Sequence, residues 1–219
     1  MDRMIDTVKA FDDYAGNYDQ WFDSPEGKAL FSAEAEAVRL LTKGLEHPFL
    51  EIGVGTGRFA EKLGINIGID PSDRALDIAR RRGIRVQQAT GEILPFKDGL
   101  FGAVFLLFTL CFVKDAGAVI AEAKRVLKSG GGLIIGFINR ESPWGEHYMK
   151  KKTEGHPIYR HARFYTIDEV AGLLRQVGMG VGAYASTLCR QPSQELTGEK
   201  AYDKLIGDAG FVCILSRKE

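Results

Sequence analysis

The sequence predicts an α/β domain with a largely parallel sheet covered by helices, and three observations predict it. Strand-like apolar runs alternate with amphipathic helical stretches along most of the 219 residues, the order expected when parallel strands are joined through helices. The run Phe101–Phe108 is apolar throughout, as in a central strand buried on both faces. A hydrophobic segment runs into three glycines at alternate positions, Gly53, Gly55 and Gly57, with a helical stretch directly behind them. At this length one domain spanning 1–219 with a sizeable core is expected.

The elements follow in order. A helix runs from about Gly27 to Thr42, with Phe31, Ala35, Val38 and Leu41 on one face and Glu34, Glu36 and Arg39 assigned elsewhere. Gly44 stops it. The first strand, about Pro48–Ile52, ends in the glycine turn, and a short helix, Arg58–Leu63, closes at Gly64. Ile65–Ile69 is the second strand, with Asp70 at its end. Ser72 caps a helix reaching Arg82, whose inner face is Ala75, Leu76 and Ala79 and whose stop is Gly83. Ile84–Gln88 is the third strand and Phe101–Phe108 the fourth. Asp115 caps a helix striped with Val119, Ile120, Ala123, Val126 and Leu127, and Gly130–Gly132 turn the chain into a fifth strand, Leu133–Ile138. From Asn139 to Arg163 the periodicity is lost and the composition turns aromatic and basic, which reads as a cap or loop. Thr166 and Glu169 form a capping box for a helix to Val177, and strands at about Gly180–Leu188 and Gly210–Arg217 finish the chain.

Bulk properties exclude several functions. Lys+Arg and Asp+Glu balance at 29 each, so the field of the whole chain favours neither nucleic acid nor an anionic membrane. The basic runs Arg80–Arg82 and Lys150–Lys152 read as solvated faces. Cys111, Cys189 and Cys213 form no C-x-x-C pair, which suggests neither zinc nor a disulfide framework and fits a reducing compartment. The N-terminus lacks a signal-peptide core, and the longest apolar stretch, Val104–Val113, is far too short to cross a bilayer. A cytoplasmic protein, monomeric or homodimeric, is expected.

The glycine turn carries the chemistry. Gly53 permits a sharp turn, Gly55 lets a ligand approach the backbone, and Gly57 allows close helix packing. The N–H groups opening the next helix then face the ligand. Asp70 lies 17 residues after Gly53, at the carboxyl edge of the sheet, where a carboxylate accepts both hydroxyls of a ribose. A nicotinamide-dependent oxidoreductase is the rival enzyme. Its G-x-G-x-x-G fingerprint, however, places the third glycine where this chain has Arg58. A non-catalytic, cofactor-binding regulatory protein is the rival from another class.

Several segments together resemble the class I S-adenosylmethionine-dependent methyltransferases, in particular the small-molecule branch related to ubiquinone and menaquinone biosynthesis. These are Glu51-x-Gly-x-Gly-x-Gly57, Gly68–Ser72, Glu92-x-Leu-Pro-Phe96 with Asp98-Gly-x-Phe101, Arg125–Gly131, Phe164–Thr166 and Leu173-Leu-x-x-x-Gly178. The resemblance implies a Rossmann-like, doubly wound sheet of seven strands with an antiparallel last strand. It also implies S-adenosylmethionine as cofactor, with Glu51 and the Gly53, Gly55 and Gly57 turn against the methionine portion and ribose. Asp70 would hold the ribose hydroxyls, Pro71 and Ser72 would lie near the adenine, and Thr90, Gly91 and Glu92 would reach its edge. Phe108 and Thr109 would sit near the sulfonium. The chain departs from the family at Thr90 and Gly102, where Asp is frequent, and at Thr109–Phe112, where a His is frequent. The missing His removes one candidate general base.

Residues 1–26 resemble the family's lid, with Tyr14, Tyr18, Trp21 and Phe22 as wall residues, Tyr14 and Tyr18 toward the cofactor. The segment 139–163 supplies the opposite wall, with Trp144, Tyr148 and Tyr159. It also holds three of the four histidines, but at no metal-ligating spacing, so no metal is expected. Trp21, Trp144, Tyr148 and Tyr159 suggest a small-molecule amine acceptor enclosed by cation–π attraction.

Overall fold

The computed structural model of the chain describes residues 3–195 and 198–219, so residues 1 and 2 of the expected lid lie outside the described residues. Helix α1 spans Arg3–Trp21 and α2 Pro25–Leu41. Ser24 caps α2, its side chain accepting the Gly27 N–H, and Pro25 starts the first turn with its φ already set for a helix. There follow β1 (Phe49–Ile52), α3 (Arg58–Leu63), β2 (Ile67–Asp70), α4 (Asp73–Arg81), β3 (Arg85–Gln88), β4 (Phe101–Leu107), α5 (Ala116–Val126) and β5 (Leu127–Ile138). The chain ends with α6 (Pro143–Thr153), a 3₁₀ turn (Tyr159–His161), α7 (Ile167–Gln176), β6 (Ala183–Thr187) and β7 (Phe211–Arg217).

The seven strands form one sheet in the order β3-β2-β1-β4-β5-β7-β6. The first five pair in parallel, and β7 runs antiparallel between β5 and β6. This is the doubly wound sheet that the sequence predicts. Strand order reverses between β1 and β4, and in such sheets ligands bind at the crevice beyond the carboxyl ends of those strands.

Period-2 alternation sorts the strand residues into two cores. Phe49, Phe105, Ile134 and Cys213 pack with Leu30 and Val38 of α2, Phe59 of α3 and Leu76 of α4. Leu50, Val104, Leu133 and Ile214 pack with Val119 and Ile120 of α5 and Leu174 of α7. The caps expected from the sequence form. Ser72, Asp115 and Thr166 accept the N–H groups of Ala75, Ala118 and Glu169, and Glu169 returns the bond of the capping box.

The segment 139–163 differs from its reading as irregular chain. It contains α6, opened by Ser142, whose side chain accepts the Gly145 N–H ahead of Pro143. Aromatic and basic residues fill that helix and hide its apolar stripe. A second difference lies in α2, where Glu34 is buried rather than solvent-facing.

Candidate active site

The glycine turn, the ends of β2 and β4 and the inner face of α1 surround about 1110 Å³ of empty space, part of it open to solvent. The backbone of this turn is one only glycine adopts readily: Gly53, Gly55 and Gly57 have φ of 75°, 52° and 83°. Two of them also leave no room for a side chain: a Cβ on Gly53 would lie 2.5 Å from Thr109 Oγ1. A Cβ on Gly57 would lie 3.0 Å from that of Ala79, so this glycine lets α3 and α4 meet. A Cβ on Gly55 would meet nothing within 4 Å, and this glycine lines the cavity.

Asp70 is held at the end of β2 by two main-chain donors. Gly55 N–H donates to Oδ2 and Ser72 N–H to Oδ1, each at 2.9 Å. Each oxygen keeps a second lone pair. Burial raises the carboxyl to about 6 and the charge of Asp12 adds to the rise, while those two backbone hydrogen bonds oppose it. Ser72 itself is the cap of α4, fully buried, and its hydroxyl donates to Asp12 of α1. Glu51 and Glu92 also line the cavity, and each leaves one carboxylate oxygen, Oε2, buried without a hydrogen bond. Burial, and secondly the charge of Asp70, push the Glu51 carboxyl well above the usual range.

Phe108 follows β4 with φ 57°, a conformation costly for a bulky residue and characteristic of positions fixed by their surroundings. Its N–H donates to Gly136 O at 2.8 Å, its ring stacks on Phe211, and the next residue, Thr109, donates its hydroxyl to Ile52 O. Phe108 thereby walls the first cavity and also a second one of about 720 Å³. The second chamber is lined by Trp21 and Phe22 of the N-terminal segment, Tyr148 of α6, Tyr159 of the 3₁₀ turn, Phe164 and Glu34. Tyr148 and Tyr159 meet edge to face at 4.8 Å.

Helix α1 lies over both cavities, and ion pairs fasten it there. Arg58 donates to the carboxylates of Asp19 and Asp23 at 2.8–3.0 Å and sits 5.6 Å from the Phe22 ring centre, while Arg82 reaches Asp19 at 2.9 Å. Burial would raise Asp19, but hydrogen bonds from Arg58, Arg82 and Thr56 outweigh it and hold the carboxyl at about 2. This clasp therefore stays charged throughout the physiological range. Arg58, which stands where a dinucleotide fingerprint has its third glycine, directs its guanidinium to Asp19 and Asp23.

Most of the residues singled out in the sequence meet here. Glu51, Gly53, Gly55, Asp70, Pro71, Thr90, Gly91, Glu92, Phe108, Thr109 and Tyr18 line the first cavity, and Trp21, Phe22, Tyr148 and Tyr159 line the second. Four residues do not line either cavity. Gly57 and Ser72 shape the turn and cap from behind, Tyr14 is 40% exposed, and Trp144 is buried within the fold, its Nε1 donating to Arg190 O at 2.8 Å. Phe11, Phe112 and Glu34 line cavities without having been singled out. Among the described residues no helix is long and apolar enough to cross a membrane, and no His, Cys, Asp and Glu cluster is placed to hold a metal.

Residues 50–135 match the model of a methyltransferase domain. An uncharacterized protein of Mycobacterium tuberculosis is 47% identical over 201 residues, covering 91% of this chain and 70% of that protein. The crystal structure of an S-adenosylmethionine-dependent methyltransferase from Thermotoga maritima, described as a possible histamine N-methyltransferase, is 38% identical with a TM-score of 0.89. It covers 97% of this chain and all of that one. The chain belongs to the class I S-adenosylmethionine-dependent methyltransferases. A demethylmenaquinone methyltransferase of Tropheryma whipplei is also similar, at 39% identity over 154 residues, 59% of this chain and 64% of that protein.

The first cavity of this methyltransferase fits its cofactor by the chemistry of its donor set. The unpartnered Glu51 Oε2 suits an ammonium, the spare lone pairs of Asp70 suit a vicinal diol, and the Glu92 Oε2 suits an exocyclic amine. S-adenosylmethionine supplies a methyl group on a positively charged sulfur, with the leaving group built in. The protein is left to position, exclude water and manage the acceptor's proton.

Proposed function

We propose that this methyltransferase transfers a methyl group to a small-molecule amine of largely apolar or aromatic body, held in the second chamber. The observation that carries the reading is the shared wall: Phe11, Tyr18, Phe22, Phe108 and Phe112 line both cavities, so an acceptor in one adjoins the donor in the other. Aromatic faces attract a cationic or partly cationic nitrogen by their quadrupole. The Thermotoga maritima protein, described as a possible histamine N-methyltransferase, supports an amine acceptor in the same way. The lid role of α1 and the cap role of 139–163 belong to this proposal. The test is transfer of labelled methyl from S-adenosylmethionine to panels of amines, phenols and carboxylates. Label on amines is expected; label only on phenols or carboxylates would refute the acceptor class and leave the family intact.

We further propose that Asp70 accepts the ribose hydroxyls, which gives a pH dependence of defined sign. Two donated hydrogen bonds favour the ionised carboxylate, so binding releases the proton that burial retains below about pH 6 in the free protein. Affinity for S-adenosylhomocysteine should then fall about tenfold between pH 8 and pH 5, with proton release near pH 6, read by calorimetry in buffers of different ionisation enthalpy. The charge of the neighbouring Asp12 acts in the same direction, since it also favours a protonated Asp70. Equal affinity at both pH values would rule the contact out.

A further inference from the structure

We propose that Glu34 is the amine anchor of the acceptor chamber, binding the ammonium of the acceptor and taking one of its protons to free the nitrogen lone pair. The inference rests on the amine reading above and assigns a residue to it. Glu34 lies in the middle of α2, 5% exposed, among Leu30, Ala33, Ala37, Val38 and Leu41. It lines the second chamber, and its carboxylate has no hydrogen bond or ion pair with any described residue. None of the chamber's lining residues is Lys, Arg or His. Helix packing has no use for a carboxylate there, because a buried charge is costly unless something pairs with it. The missing partner is a cation or a hydrogen-bond donor, and the chamber is where it arrives.

Among the described residues lining the chamber, Glu34 is the only carboxyl group. Burial pushes the Glu34 carboxyl well above the usual carboxylate range. Tyr18, Tyr148 and Tyr159 face it from α1, α6 and the 3₁₀ turn, and Cys213 from β7; burial, foremost, keeps all four protonated and neutral. Two cations lie behind the wall, Lys151 at 5.2 Å from the Tyr148 ring and Arg58 at 5.6 Å from the Phe22 ring, and neither lines the chamber. Desolvation lowers the pKa of a bound ammonium while it raises that of Glu34, so the two approach each other and the proton passes at small cost. One N–H bond breaks, one O–H bond forms, and the N–H electron pair stays on nitrogen. The resulting neutral amine is the species able to attack. No histidine is required, which accounts for a methyl-transfer site with Thr109–Phe112 where relatives often carry one.

The test uses the full chain saturated with S-adenosylhomocysteine, with phenethylamine and tryptamine as probes and phenylethanol as the uncharged isostere, compared in wild type and Glu34→Gln by calorimetry. The substitution keeps the volume, and because Glu34 does not line the cofactor cavity, S-adenosylhomocysteine affinity serves as the folding control. Amine binding should weaken about 30-fold or more in the variant, as when one partner of a buried charge pair is removed, with phenylethanol within about twofold. Equal amine affinity in both proteins overturns the role of Glu34 while the amine reading stands. Binding of neither amine by the wild type overturns both, and leaves the cofactor site untouched. A variant weakened toward S-adenosylmethionine but not toward the amines places the carboxylate opposite the sulfonium and overturns the proposal as well.

Discussion

Asp70→Ala should lose at least about 100-fold in affinity for S-adenosylhomocysteine, since two hydrogen bonds to a carboxylate are worth about 1.5–3 kcal/mol each. The geometry explains why the loss is concentrated in one residue. Asp70 holds the N–H groups of Gly55 and Ser72, so it fixes the turn and the start of α4 at the same time as it presents its free lone pairs. Its removal also leaves those two donors without an acceptor. The stability of the ligand-free protein should change little, because the lost hydrogen bonds are offset by relief from a buried carboxyl raised to about 6. Ligand-induced stabilisation separates the two effects. At 100 times Kd the wild type gains about 2.7 kcal/mol, a Tm rise on the order of 5–10 °C for a chain of this size, and the variant should show almost none. A variant that still binds within about threefold would make Asp70 a clasp for the turn and nothing more.

The parts of this site that sequence alone exposes are those built from local rules. A strand entering alternate glycines, an acidic residue closing the next strand and a serine two residues later each follow from backbone conformation and capping over a few residues. The cap of α4 illustrates this: Ser72 takes the Ala75 N–H, which leaves Asp70 free for another role. The long helices are harder. Along α1 and into the turn that follows it, Phe11, Ala15, Tyr18 and Phe22 share the inward face at spacings of four, three and four, while Tyr14 falls outside it and is exposed. Composition picks out Tyr14 and Tyr18 alike; only the period separates them.

Glu34 shows the same limit from the opposite side. A charged residue is assigned to the solvent face by default, yet Leu30, Glu34, Val38 and Leu41 lie on one stripe of α2 at spacings of four, four and three. The signal was present as a polar residue interrupting an apolar face. Such an interruption is where local consistency gives way to function. Between 139 and 163 the obstacle was different: the Ser142–Pro143 pair is a helix start, but aromatic residues on more than one face of α6 blur its periodicity. Which of those aromatics points at the chamber depends on what packs behind them, and that is tertiary information.

Trp144→Ala tests that distinction, and its expected effect is on folding. Trp144 is 1% exposed, its indole N–H donates to Arg190 O, and its ring lies so close to Gly210 that a Cβ there would collide with it. Truncation leaves a cavity between α6 and the approach to β7 and removes the indole hydrogen bond to Arg190 O. The cost should be about 3–5 kcal/mol, a fall in Tm on the order of 10 °C or more, measured by denaturant and thermal unfolding. Trp144→Phe should recover most of the packing and lose about 0.5–1.5 kcal/mol for the hydrogen bond to Arg190 O. Acceptor binding should respond only through Tyr148, whose ring centre is 6.3 Å from that of Trp144 and which does line the chamber. Tyr148→Ala should therefore damage acceptor binding more than Trp144→Phe does, although Trp144 is the larger ring. An unfolding free energy unchanged in Trp144→Ala, together with abolished acceptor binding, would return this residue to the chamber wall.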